Sequence, residues 1–378
     1  MSRNLFNLFF PKSIFSTKIN CFIYFRHVKQ KKRILVAPLD WGIGHASRCI
    51  PIIHHLIKYD FEVVISTNGR SYKLLKSEFP ELEFCHIKGY NITYPNSKKM
   101  AIKILIQIPK LVIGIITEYF SLRKIIHSKK IDGVISDNRF GMWNKSIPCV
   151  FITHQINIIS PVFSKLIKKI NHFFIRKYNE CWIPDFSNNL LSGELSKIDF
   201  KNNTFKFIGP LSRLEKNDLD IRYKYCFLIS GPEPQRTILE NIAKRELEKI
   251  KEKSIIILGK TEENKIEKYG IHTIYSHLKS EELNIALLES EIIICRSGYS
   301  TIMDLYKLKK KAILIPTPGQ TEQEYLAKNL EEKSVFLSQI QDNFCVQSAY
   351  FQIENYAGFN NNVESEIKWR ELFRIFEG

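Results

Sequence analysis

An alternation run twice along the chain limits what it can fold into. From residue 33, short β-branched runs at 33–38, 62–66, 82–87, 133–136 and 149–152 alternate with helical periods near 46–58, 71–78, 99–127 and 160–179. After a charged, loop-like stretch at 212–224 the rhythm restarts. Strands are expected at 225–230, 254–258, 271–275, 291–295 and 312–316, and helices at 235–252, 280–289, 299–309 and 321–333. Runs such as Arg33-Ile34-Leu35-Val36-Ala37 have no polar face, so both faces need cover, as in a parallel sheet between helices. The expected fold class is α/β: two doubly wound parallel-sheet domains, 33–212 and 213–355, facing across a cleft. Ligands of such folds bind at the carboxyl ends of the strands. Residues 356–378 form a C-terminal helical segment, with an amphipathic helix expected over 364–376 that offers Ile367, Leu372 and Phe376 for packing.

Of 378 residues, 44% are hydrophobic and 25% charged, which excludes disordered and fibrous classes. The net charge of +17 is unevenly placed: +7 over residues 1–32, +13 over 33–213 and −3 over 214–378. A cationic first half beside a near-neutral second half points to different partners, the first an anionic surface such as phospholipid or nucleic acid. A solvated lysine-rich face is the plainer alternative. No recognised nucleic-acid module accompanies the charge, so nucleic acid is not an expected partner. No window of ~18 apolar residues is free of charge, so no membrane-spanning helix is expected. The eight cysteines show no C-x-x-C pair and several lie in apolar runs, which predicts reduced, buried thiols and a cytoplasmic location. Residues 1–32 interleave aromatics with Arg3, Lys12, Lys18, Arg26 and Lys29. They suit a basic arm on a bilayer, an over-long gene start or a disordered tail, and stay unassigned.

Chemistry concentrates at strand ends. The first strand runs into Asp40-Trp41-Gly42-Ile43-Gly44-His45-Ala46-Ser47-Arg48, a glycine turn opening a helix, where main-chain amides can approach a ligand. A dinucleotide fingerprint would need a glycine at Ser47 and an acid ~20 residues on, so NAD is not expected. His45 is read as a general base facing the cleft, or else as a hydrogen-bonded capping residue. Asp137, in Ser136-Asp137-Asn138-Arg139, either orients His45 or caps the next helix; Thr153-His154-Gln155 ends the following strand. In the second half, Ser230-Gly231-Pro232-Glu233-Pro234-Gln235-Arg236 could hold a diphosphate through its amides and Arg236. Cys295-Arg296-Ser297-Gly298-Tyr299-Ser300-Thr301 repeats that geometry with Asp304 one turn on, and the stretch 316–324 is a third polar strand end.

Through Cys295-Arg296-Ser297-Gly298, Asp304, Pro316 and Gln323-Glu324-Tyr325, residues 33–335 resemble the family 28 glycosyltransferases, which have two Rossmann-like domains in the GT-B architecture. The resemblance implies that the Arg-Ser-Gly turn with Ser300 and Thr301 holds a nucleotide sugar, that Asp304 binds ribose hydroxyls, and that Gln323 and Glu324 touch the sugar. Asp304 stands where glutamate is usual, and Glu324 where a second glutamine is. Gly42-Ile43-Gly44-His45 resembles the acceptor-side turn with its base, and Arg213, in Gly209-Pro210-Leu211-Ser212-Arg213, the arginine that reaches donor phosphates. Ser230 and Gly231 stand at a second glycine-rich turn. The architecture meets the leaving diphosphate with helix dipoles and basic side chains, so no catalytic metal and no cofactor beyond the UDP-sugar donor are expected. Asp218-Leu219-Asp220 has the D-x-D form of a metal motif but lies in a linker.

The expected activity is thus an inverting transfer of a hexose or N-acetylhexosamine from a UDP-sugar to a hydroxyl. Rival expectations are a UDP-sugar hydrolase or 2-epimerase on the same fold, or a silent membrane-docking subunit. A lipid-linked or membrane-associated acceptor is expected at the cytoplasmic face of the plasma membrane. Two stretches point there: 100–120, rich in Ile and Leu around Lys103 and Lys110, and 160–178. In the latter Phe163, Leu166, Ile167, Ile170, Phe173 and Phe174 recur at helical spacing beside Lys165, Lys168, Lys169, Arg176 and Lys177. The same stripe would also serve to pack a helix on a sheet.

Overall fold

The computed structural model describes residues 30–87, 89–90, 107–159, 164–198, 203–359 and 366–377. The expectations for residues 1–29, the helix start at 99–106 and Phe163 lie outside them. The first half runs β1 (Arg33–Pro38), α1 (Ile43–Lys58), β2 (Glu62–Ser66), α2 (Gly69–Glu78), β3 (Glu83–Cys85), α3 (Ile108–Lys129), β4 (Gly133–Asp137), β5 (Cys149–Ile152), α4 (Ser164–Ile175), β6 (Glu180–Ile183) and β7 (Phe205–Phe207). Its seven strands are all parallel, in the order β3-β2-β1-β4-β5-β6-β7.

The second half runs β8 (Tyr223–Leu228), α5 (Gln235–Leu247), β9 (Ile255–Ile257), β10 (Ile266–Tyr269), β11 (His272–Tyr275), α6 (Ser280–Leu288), β12 (Ser290–Cys295), α7 (Tyr299–Leu308), β13 (Lys311–Leu314), α8 (Thr321–Glu332) and β14 (Leu337–Ser338), followed by α9 (Val346–Gln352). The order is β10-β11-β9-β8-β12-β13-β14, parallel except for β10. The expected two-sheet α/β fold is thus present.

Four strands were not expected: β6, β7, β10 and β14. All are short and sit toward sheet margins. β10 is mostly exposed and pairs with β11 through a two-residue turn, with Gly270 at φ +59° supplying the left-handed conformation such hairpins require.

The expected long C-terminal helix is only α10 (Trp369–Phe373), continued by a 3₁₀ turn. It returns the chain to the first domain. Trp369 stacks on His55 at 4.4 Å, Phe373 lies against Phe61 and Trp182, and a Cβ on Gly133 would run into the Phe376 ring. Buried aromatics of this size contribute about 3–5 kcal/mol each.

In each sheet the chain reverses direction beside one central pair of strands, and there the crevice opens. In the first sheet the pair is β1 and β4, whose last partners are Pro38 and Asp137. In the second it is β8 and β12, ending at Leu228 and Cys295.

Candidate functional site

Gly42 precedes α1 as its N-cap residue, and the helix starts where β1 ends, so His45 and Arg48 sit one turn apart on the same face. Both turn toward Asp137 at the end of β4. His45 Nδ1 is 3.0 Å from Asp137 Oδ1. Arg48 donates from Nε to Asp137 Oδ2 at 2.6 Å and from Nη2 to Oδ1, and Nη2 also lies 2.9 Å from His45 Nδ1. Asp137 is fully buried, which alone would push its carboxyl up. Arg48 and His45 beside it hold it well below the usual carboxylate range. Burial opposes the charge on Arg48 too, but Asp137 outweighs it and the guanidinium pKa is raised.

The end of β5 adds His154, which is buried. Its ring stacks on Tyr299 at 3.8 Å, and Tyr299 donates from its hydroxyl to Pro184 O at 2.6 Å. His154 Nδ1 faces Arg48 Nη1 at 3.4 Å, and Nε2 meets Glu322 Oε1 of the second domain at 2.7 Å. Gln155 donates to the other Glu322 oxygen at 2.5 Å. Burial lowers the His154 pKa despite Glu322. Burial would raise Glu322, but His154, His45 and Arg48 hold it down.

In the second domain the expected binding side chains mostly build the turns. Arg296 is buried and donates to the carbonyls of Ile315, Pro316 and Gln235 and to Gln341 Oε1. It ties the ends of β13, the 230–235 turn and the 341 turn into one rim. Ser297 donates to Gln323 O at 2.8 Å, and Gln323 Oε1 accepts from the Thr317 amide at 2.9 Å. Glu324 accepts from the Gly319 amide at 2.7 Å, across a turn in which Gly319 has φ +78°. Arg236 is held by Glu233 and Glu240. The rim therefore presents main chain: Gly298 is the N-cap of α7, with Ser300 and Thr301 in its first turn, and Ser230 and Gly231 follow β8. A Cβ on Gly231 would meet nothing within 4 Å, although its φ of +112° favours glycine.

The two rims touch. Ser300 donates to Gly44 O at 2.9 Å, and a Cβ on Gly44 would stand 3.0 Å from Ser300 Oγ. Asp304 accepts from Ser212 Oγ at 2.6 Å; burial pushes its carboxyl up to about 6, against the pull of Ser212 and Arg213. Arg213 donates to Ser280 at 3.2 Å and faces Glu78 of α2 at 3.5 Å. Among the described residues, Arg213 Nε and His277 Nε2 are buried without a hydrogen-bond partner, close in space or in sequence to the α6 N-terminus. Asp218 and Asp220 lie exposed on the connection between β7 and β8, five and three residues before β8 begins.

Sequence reasoning did not single out Arg48, Glu322 or His277. Arg48 carried a signal, being one turn beyond His45. Glu322 carried a weaker one, an acid in the first turn of a helix at a strand end.

A family model described as Glycosyl transferase family 1 matches residues 32–344. The chain belongs to this family. It is a glycosyltransferase, and the resemblance drawn from the Arg-Ser-Gly turn holds. A relative from Buchnera aphidicola (subsp. Schizaphis graminum, strain Sg) is 28% identical over 82% of this chain and 87% of its own. It is named UDP-N-acetylglucosamine--N-acetylmuramyl-(pentapeptide) pyrophosphoryl-undecaprenol N-acetylglucosamine transferase. A relative of the same name from Haemophilus influenzae (strain PittEE) is 23% identical over 80% of this chain and 84% of its own. Among solved structures, Acinetobacter baumannii MurG superposes with TM-score 0.55 at 14% identity, over 92% of this chain and 99% of that one. The calicheamicin glycosyltransferase CalG4 superposes with TM-score 0.58 at 11% identity, over 92% and 94%. These neighbours share the two-domain GT-B fold.

Proposed function

We propose that this glycosyltransferase moves a hexose or N-acetylhexosamine from a UDP-sugar to a hydroxyl of a lipid-linked acceptor, with inversion at the anomeric carbon. The observation that carries the reading is the His45–Asp137 pair at the reversal point of the first sheet, facing the α7 N-terminus at the reversal point of the second. When His45 Nδ1 donates its proton to Asp137, Nε2 keeps its lone pair. Nε2 takes the acceptor proton as the hydroxyl oxygen attacks the anomeric carbon. The bond to UDP breaks on the opposite face, and the diphosphate charge meets the α7 amides and helix dipole. No metal enters this scheme. The names of the Buchnera and Haemophilus relatives support a UDP-N-acetylglucosamine donor and an undecaprenyl-linked acceptor.

The first domain's surface supports a place on the inner face of the plasma membrane. On α4, Leu166, Ile170 and Phe173 are about half exposed, at 54%, 49% and 56%, rather than packed on the sheet. Lys165, Lys168, Lys169, Arg176 and Lys177 line a groove of about 710 Å³ beside them. On α3, Val112, Ile113, Ile116 and Phe120 are exposed as well. Apolar stripes flanked by cations suit a bilayer interface. Among the described residues no helix is long and apolar enough to cross a membrane.

The test is UDP release from UDP-N-acetylglucosamine with and without an undecaprenyl-linked muramyl acceptor. Release that requires the acceptor is the expected result. Full-rate release without acceptor would assign a hydrolase or 2-epimerase, and no affinity for UDP at all would leave a silent docking subunit.

A further inference from the structure

We propose that Glu322 of the second domain is a positioning residue for the base, closing a hydrogen-bonded chain through His154 and Arg48 to the Asp137–His45 pair. The inference rests on the reading of His45 as the base and adds how the base is held.

Glu322 follows the 316–320 loop, in the first turn of α8. Its neighbours Gln323 and Glu324 turn back to that loop, whereas the Glu322 carboxylate reaches across to His154 and Gln155 of the first domain. Burial disfavours the charged form of His154, and an uncharged imidazole carries one donor and one acceptor. A carboxylate at Nε2 can only accept, so Nε2 holds the proton and Nδ1 must accept. The ring has little freedom to turn otherwise, since it is buried and stacked on Tyr299. The accepting Nδ1 faces Arg48 Nη1, while Nε and Nη2 of the same planar fork grip the two oxygens of Asp137. That carboxylate is the partner of His45 Nδ1.

Losing Glu322 removes what dictates the His154 tautomer. With the proton on Nδ1, His154 would present N–H to the Arg48 guanidinium, and the fork would shift on Asp137. Chemistry at His45 thereby depends on the second domain being closed on the first.

The test begins with ligand-free, full-length protein and needs no substrate. In long-range ¹H–¹⁵N spectra of the histidine rings, Glu322→Ala is expected to move the signals of both His154 and His45. Glu322→Gln, whose amide oxygen can still accept from Nε2, is expected to leave His45 in place. Glu322→Asp shortens the reach and serves as a second disrupting variant should Glu322→Ala not fold. A change confined to His154 in the disrupting variant would overturn the proposal. In turnover of UDP-N-acetylglucosamine, Glu322→Ala is expected to lower kcat about tenfold or more with donor KM within about threefold, and Glu322→Gln to restore most of it. A loss carried entirely by KM would equally overturn it. If the wild-type protein releases no UDP, the functional reading fails while the ring spectra still decide this one.

Discussion

The two domains share one architecture and use it differently. At the reversal point of the first sheet, charged and titratable side chains converge: His45, Arg48, Asp137 and His154. At the reversal point of the second, Arg296, Arg236 and Gln323 are consumed within the domain, and what faces the cleft is main chain at a helix start. The first domain thus offers a reactive constellation, and the second offers a cradle whose shape its side chains maintain. A proton acceptor must be a side chain, since no main-chain group titrates near neutrality, whereas a diphosphate is well met by amides fixed in place.

The sharpest test of this contrast removes the reactive group. His45→Ala is expected to lower turnover ~10²–10⁴-fold with UDP affinity, followed by calorimetry, nearly intact. Wild-type turnover in that variant would remove chemistry from the first domain's side of the comparison.

Next comes the ion pair beneath it. Arg48→Ala leaves Asp137 buried without its cation and should cost roughly 3–5 kcal/mol in urea unfolding. A loss below about 1 kcal/mol would show that the site tolerates an unpaired carboxylate.

Asp304 probes the cradle. If it reaches the ribose, Asp304→Ala should weaken UDP binding by ~1–3 kcal/mol. Its stability signature has a definite sign. The folded pKa, about 6, lies above the ordinary 3.8, so the favourable contribution of the protonated form is complete below pH 3.8 and is lost as pH rises through about 6. Asp304→Asn should therefore melt higher than wild type at pH 7.5, by an amount that shrinks toward pH 4. An equal difference at both pH values would detach the effect from this carboxyl.

The smallest effects concern the outer face of the first domain. Replacing Lys168 and Lys169 with Gln should weaken binding to anionic liposomes by about 1 kcal/mol each at low salt, with no matching change on neutral liposomes. Substituting exposed cations of the second domain, Lys328 among them, should leave liposome binding unchanged. If both sets weaken it equally, the polarity between domains is not what docks the chain.

Much of this was legible in the sequence because it is local. Apolar runs without a polar face demanded buried parallel strands, and glycine or polar turns after them marked where a crevice would open. His45 and Asp137 stood out on those grounds, as did the 230–236 and 296–301 turns. Edge strands such as β10 escaped notice because a marginal strand buries too little to leave an apolar signature. The tertiary structure alone decided which strand ends adjoin. It brought His45 to Asp137, 92 positions away, and Glu322 to His154, 168 positions away. It also decided that Arg296 and Gln323 serve the walls of the cleft, and that Leu166, Ile170 and Phe173 face outward. Periodicity records which face of an element is apolar, but not whether a sheet or something else will cover it, because that depends on neighbours distant in the chain.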